Sequence, residues 1–181
     1  MSQQSPPPSP ASTPVPADDL SRLLTVVSPD DAHLRHIGLV GDTYTVLVSG
    51  ADTAGKYCLI DMLIPPGGGP GRHRHDFEEM FTLLEGEVEF SFRGEASTVT
   101  AGQTVNVPAN APHFFRNASE AAVRMLCMCT PAGQEDFFAA VGDPVPSRTA
   151  AAPQLDDEAL GRRLQKMKEL APRYRTELLA P

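Results

Sequence analysis

The 181-residue chain sets 15 Lys and Arg against 23 Asp and Glu, for a formal charge of −8 and a pI near 5.0. That length gives one domain with a closed core, and the acidic balance excludes nucleic acid or an anionic membrane as the main partner, since both need a basic surface. No apolar run is long enough for a membrane span, no basic patch precedes an apolar core at the start, and Cys58, Cys127 and Cys129 form no C-x-x-C, so a reducing cytoplasm is the expected location.

Residues 1–19 are rich in Pro, Ser and Ala and carry almost no large apolar side chain. Such a stretch buries too little surface to offset the entropy of ordering it, so a disordered tail is expected. The barrel region is expected over 20–145. Its first two strands are SRLLTVVSP and AHLRHIGLV, separated by Ser28-Pro29-Asp30-Asp31. His33 and His36 lie three apart, on opposite faces of a strand, which makes them surface or packing residues and not joint ligands. DTYTVLVSG and KYCLIDMLIPPGG read as two further strands, the second closed by Pro65-Pro66 and a glycine run that bends and stiffens the chain.

The stretch from Gly67 to Gly86, GGGPGRHRHDFEEMFTLLEG, concentrates the chemistry. His73 and His75 project from one face of an extended segment, because strand side chains alternate, so they can share one metal ion. H-x-H alone is a weak signal that a surface strand carries by chance. Glu79 follows, and His113 arrives in TVNVPANAPHFFRN. Three imidazoles and a carboxylate suit Mn, Fe, Co, Ni, Cu or Zn, with positions left for water or substrate. Glu78 is the rival ligand; parity places it on the opposite face from the histidines unless a bulge intervenes.

EMFTLLEGEVEFSFRGE is expected as a hairpin turning at Gly86, with Phe81 and Leu83 lining the interior beside Glu79, and with Val88, Phe90 and Phe92 forming the apolar face of the second strand. AGQTVNVPANAPHFFRN is expected as another strand pair, with Phe115 on the face of His113, Arg116 turned outward and Asn117 bonded to backbone. VRMLCMCTPAG is the last well-marked strand. Cys127 and Cys129 share a face on it and are read as small hydrophobes, with metal binding as the alternative.

GQEDFFAAVGDP then reads as a short helix stopped by Gly142, and residues 146–181 as a linker followed by a C-terminal helix and tail. In DDEALGRRLQKMKEL the apolar residues Leu160, Leu164 and Met167 form a stripe, with acids early and bases late. The helix is expected to pack outside the barrel or on a neighbouring subunit. APRYRTELLAP closes the chain as an apolar tag on a polar tail.

The two segments also share a spaced pattern. The first reads Gly67-x5-His73-x-His75-x3-Glu79-x6-Gly86, and the second Gly102-x5-Pro108-x-Asn110-x2-His113-x3-Asn117. The chain resembles the cupin superfamily on these motifs, over about residues 67–117, and is similar to small single-domain bacterial cupins of the conserved-barrel, quercetin dioxygenase-like type. Asn110 departs from the pattern, which has Gly there; Asn is the non-Gly residue most tolerant of a left-handed backbone.

Many short strands punctuated by Gly and Pro argue an all-β barrel or sandwich, and the resemblance implies a cupin jelly-roll β-barrel with short C-terminal helices. It implies His73, His75, Glu79 and His113 as ligands of one divalent transition metal ion, with Glu79 also the catalytic proton acceptor. Phe81, Leu83 and Phe115, with Met62 or Tyr57 according to register, form the expected substrate pocket. The function implied is a metal-dependent dioxygenase acting on a small organic, flavonol- or catechol-like substrate. A non-catalytic binding module for a small molecule is the alternative, and a sugar isomerase or epimerase is disfavoured by the apolar lining. A homodimer is expected, because small jelly rolls leave sheet edges for a second copy to cover.

Overall fold

The computed structural model describes residues 14–180. Of the expected N-terminal tail, residues 1–13 lie outside the described residues. Twelve strands and three helices follow in order: β1 Arg35–Leu39, β2 Asp42–Val48, α1 Gly50–Thr53, β3 Cys58–Ile64, β4 His73–His75, β5 Glu78–Glu85, β6 Glu87–Phe92, β7 Glu95–Thr100, β8 Thr104–Val107, β9 His113–Arg116, β10 Val123–Thr130, α2 Gln134–Val141, β11 Asp143–Pro144, α3 Asp157–Leu170 and β12 Thr176–Leu178. A 3-10 turn, Ala171–Tyr174, joins the last two.

The strands form two antiparallel sheets, ordered β11-β1-β2-β3-β10-β5-β8 and β12-β4-β9-β6-β7. Side-chain alternation decides what lies between them. In β10, Val123, Met125, Cys127 and Cys129 are buried while Arg124, Leu126 and Met128 face outward, and β3 and β5 repeat the pattern in register. Ile60, Leu83, Val88, Val107 and Phe115 fill the interior, where large apolar side chains supply most of the stabilisation. This closed pair of sheets is the jelly-roll barrel.

Three expectations are corrected. The segments on either side of Gly86 are not a hairpin: β5 pairs with β10 and β8, and β6 pairs with β7 and β9. Gly86, at φ 80°, turns the chain from one sheet into the other, and a Cβ there would lie 2.8 Å from Val123 Cγ2. The second pair fails in the same way, because β8 lies beside β5 and β9 beside β6. Asn110, at φ 69°, takes the left-handed conformation in that crossover. Residues 21–29 are not a strand either. Both sides of β1 are taken, by β2 and β11, and residues 21–29 join no ladder.

The chain end also departs from the tail that was expected. Thr176–Leu178 forms β12 and pairs with the histidine strand, Thr176 opposite His75 and Leu178 opposite His73. Surface ion pairs flank it, Arg74 with Glu177 and Arg175 with Asp76, but pairs this exposed add little. The ladder and the apolar contacts of Met167, Leu170, Tyr174 and Leu178 against the core do the holding. Thus α3, capped by Asp156 accepting from Ala159 N–H at 2.8 Å, lies over one end of the barrel and none of its residues is buried.

Candidate metal centre

β4 delivers His73 and His75 to the interior and turns Arg74 outward. β9 delivers His113, which lies directly opposite His73 in the ladder. β5 supplies Glu79 from the other sheet, buried like the three imidazoles. Glu78 takes the outward face, where it accepts from Ala109 N–H at 3.1 Å and from the Asn106 amide at 3.3 Å. The parity argument for Glu79 over Glu78 therefore matches the strand.

All three histidines are oriented alike. Nδ1 of His73 bonds Gly71 O, Nδ1 of His75 bonds Phe77 O, and Nδ1 of His113 bonds Ala111 O, each at 2.9 Å. A carbonyl only accepts, so each Nδ1 carries a proton and each Nε2 is turned to the interior; those of His75 and His113 donate to Glu79, and an ion bound there would take their lone pairs in place of those protons. Nε2 of His75 lies 2.9 Å from Glu79 Oε2, and Nε2 of His113 lies 3.0 Å from the same oxygen. Ligand atoms about 2.1 Å from one ion and at right angles to each other are about 3 Å apart, so these separations fit a shared coordination sphere. One donor atom from each of His73, His75, Glu79 and His113 lies within 4.8 Å of all the others.

The electrostatics agree. Burial, with the neighbouring His113, lowers His73 to about 4, so its imidazole is neutral at pH 7, the form that ligates. Burial works against an ionised Glu79, yet hydrogen bonds from His113 and His75 hold its carboxyl well below the usual range. His75 is also opposed by burial, and its bond to Glu79 raises it. The residues fit a divalent transition ion: three neutral nitrogen donors, one anionic oxygen and backbone carbonyls fixing the rings.

The other carboxylate oxygen, Glu79 Oε1, faces sulfur. Cys127 Sγ lies 3.3 Å and Cys129 Sγ 3.6 Å from it. Cys129's hydrogen bond works to lower the Cys127 thiol, but burial and the Glu79 charge push it up to about 12, so it remains a donor and steadies the carboxylate from behind. Asn117 bonds Ile64 O and Ala121 O through its amide, away from the donor set.

A family model described as a cupin domain matches residues 60–129, which include every residue of the donor set. Residues 60–129 are a cupin domain. Over 108 residues the chain is 29% identical to Quercetin 2,3-dioxygenase of Bacillus subtilis (strain 168), covering 59% of this chain and 32% of that protein. Over 67 residues it is 36% identical to the HTH-type transcriptional regulator PuuR of Escherichia coli (strain K12), 36% of each chain. The chain thus spans about a third of the length of these curated relatives. Among solved structures, the polyketide cyclase RemF from Streptomyces resistomycificus has a TM-score of 0.54 at 18% identity, over 82% of this chain and 99% of that one. That is a likeness of fold.

Beside the donor set the cupin barrel holds a mostly apolar cavity of about 220 Å³. His73 and Glu79 form one end of it, and Met62, Phe81 and Phe115 line its wall. The register selects Met62 over Tyr57, which is 40% exposed and off the wall. Leu83 is buried in the core, one inward position further along β5 from Phe81, and also lies off the wall. Phe137, Phe138, Leu164, Met167 and Leu178 close the cavity from α2 and the chain end.

Sequence reasoning missed Asp42, Tyr44 and Gln134 on this wall. The signal was present for two of them: Asp42 has the parity of Tyr44 and Val46, so an acid sits on an inward strand face. Burial pushes the Asp42 carboxyl up to about 7, although bonds from Tyr44 and Gly69 pull the other way. Between about pH 4 and 7 the native state therefore keeps a proton that the unfolded chain has lost, and stability falls as pH rises through that window. Urea midpoints at pH 4.5 and 7.5, taken for wild type and Asp42→Asn, are expected to show this part of the slope disappearing in the variant. Equal slopes would contradict the assignment.

Proposed function

We propose that this chain is a divalent-metal-dependent, oxygenase-type enzyme acting on a small, flavonol- or catechol-like organic substrate. One observation carries the reading: the apolar cavity ends on His73 and Glu79, so a molecule bound there meets the donor set directly. When bound, a redox-active ion supplies Lewis acidity toward an enol or phenol oxygen and the electron-transfer chemistry that dioxygen needs. Met62, Phe81 and Phe115 exclude water and bind the ring face. Glu79 serves by turns as ligand and as proton acceptor. The identity to Quercetin 2,3-dioxygenase supports the same reading.

The resemblance to PuuR favours a second reading, in which the cavity binds its molecule without turnover. The oxygen electrode separates the two. Protein loaded with Fe, Mn, Ni, Cu or Co is expected to take up dioxygen with at least one flavonol or catechol, and His73→Ala/His75→Ala to lose that uptake. Full metal occupancy with no uptake across the panel, together with a ligand-dependent rise in melting temperature, would leave the binding module.

We also propose that the working form is a homodimer. On the outward side of the larger sheet, Leu59, Met128 and Met80 lie directly opposite one another in successive strands, and Leu63, Leu126 and the exposed Leu84 extend that surface. Leu20, Leu23, Leu24 and Val26 are 81–90% exposed on the same chain, and a second copy provides cover for both surfaces. Light scattering is expected to give twice the chain mass, and Met80→Glu/Met128→Glu to give the monomer. A monomeric wild type would sink this assignment.

A further inference from the structure

The cavity wall also carries polar groups that the donor set leaves unused. Asp42 is 1% exposed. Its Oδ2 accepts the Tyr44 hydroxyl at 2.9 Å and its Oδ1 accepts Gly69 N–H at 3.2 Å, with no basic side chain paired to it among the described residues. Isolated carboxyls are rarely buried in this way, because removing the charge from water is costly without a counter-ion.

Gln134 lies on the same wall. Its Oε1 is buried and has no hydrogen-bond partner among the described residues. Buried amide oxygens are almost always satisfied, so this one calls for an explanation. Gln134 is the first residue of α2, and Phe138, one turn later on the same helix face, packs against Tyr44 with ring centroids 4.6 Å apart. Helix packing thus turns the Gln134 face toward the Asp42–Tyr44 pair. The cavity they share is mostly apolar and, at about 220 Å³, exceeds the 150 Å³ or so in which an apolar cavity binds benzene.

We propose that Asp42, Tyr44 and Gln134 form the recognition edge for a hydroxylated ring, and that Asp42 accepts the proton of the ligand's phenol or enol. The inference rests on the cavity being the small-molecule site proposed above. In the step, the ligand O–H bond breaks, its proton moves to a carboxylate oxygen of Asp42, and the electron pair stays on the ligand oxygen. A second ligand hydroxyl donates to Gln134 Oε1 and satisfies it. A carboxyl that titrates near neutrality exchanges protons at working pH. Tyr44 is the titratable group touching Asp42; His73 and Glu79 share the cavity at the metal end, and Arg72 and Lys168 lie on its wall as well.

Calorimetric titration of the metal-loaded full chain with catechol and with its dimethyl ether tests this. Wild type is expected to bind catechol at least about tenfold more tightly than the ether, and Asp42→Asn and Gln134→Leu each to lose about tenfold of that ratio. At pH 8, titrations in buffers of differing ionisation enthalpy should show more protons released per catechol by Asp42→Asn than by wild type. Melting curves of both variants establish that they fold, and Tyr44→Phe provides a third variant that retains the ring. Discrimination that falls in the variants, in a protein taking up no dioxygen, supports the recognition edge and removes the oxygenase reading. Dioxygen uptake with a ratio that the variants leave unchanged does the reverse. A wild type that binds neither compound also overturns the proposal.

Discussion

Three backbone carbonyls determine what the barrel interior can do. Gly71 O, Phe77 O and Ala111 O each take the Nδ1 proton of a histidine two residues away. Without those bonds the rings would rotate and either nitrogen would face inward. With them, Nε2 of His75 and of His113 converge on one oxygen of Glu79, and His73 stands across the ladder from His113. The other oxygen of Glu79 is occupied by two thiols, which leaves Oε2 as the anionic donor. The centre is set by local geometry on rigid strands, and buried groups with so few alternatives have little freedom to rearrange.

The jelly-roll crossovers make that convergence possible. The histidines belong to the smaller sheet and Glu79 to the larger, so a donor set shared between them requires the chain to pass from one sheet to the other. Asp76 and Phe77 make the passage from the histidine strand to β5, and Gly86 and the turn around Asn110 make later ones with left-handed backbone. The chain end contributes as well: β12 pairs with the histidine strand, and α3 and β12 line the cavity that His73 and Glu79 share. Site and cover are therefore coupled through one ladder, in which Thr176 stands opposite His75.

Much of this was legible in the sequence because strand alternation is a strict rule. His73 and His75 share a parity, Glu79 and Phe81 share theirs, and Glu78 is turned out. The turn residues were equally readable. Strand partnership was not: the glycine at 86 marks a reversal whether the chain returns alongside itself or crosses to the opposite sheet. Three-residue β12 is too short for any period to appear, and it depends on β4 for its hydrogen bonds. Residues 21–29 have strand-forming side chains, but both sides of β1 are taken by β2 and β11 and they join no ladder. Asp42 reads locally as a turn residue although its parity with Tyr44 and Val46 turns it inward, and Gln134, at a helix start, is distinguished from a cap residue only by burial against the cavity.

The central claim is that four side chains from two sheets hold one ion through specified atoms. Anomalous diffraction from a crystal of the cobalt-loaded protein tests it most directly. The account predicts a single strong peak about 2.0–2.2 Å from Nε2 of His73, His75 and His113 and from a Glu79 oxygen. A peak bonded to an Nδ1, or one seated on the thiols of Cys127 and Cys129 and out of reach of His113, would contradict it.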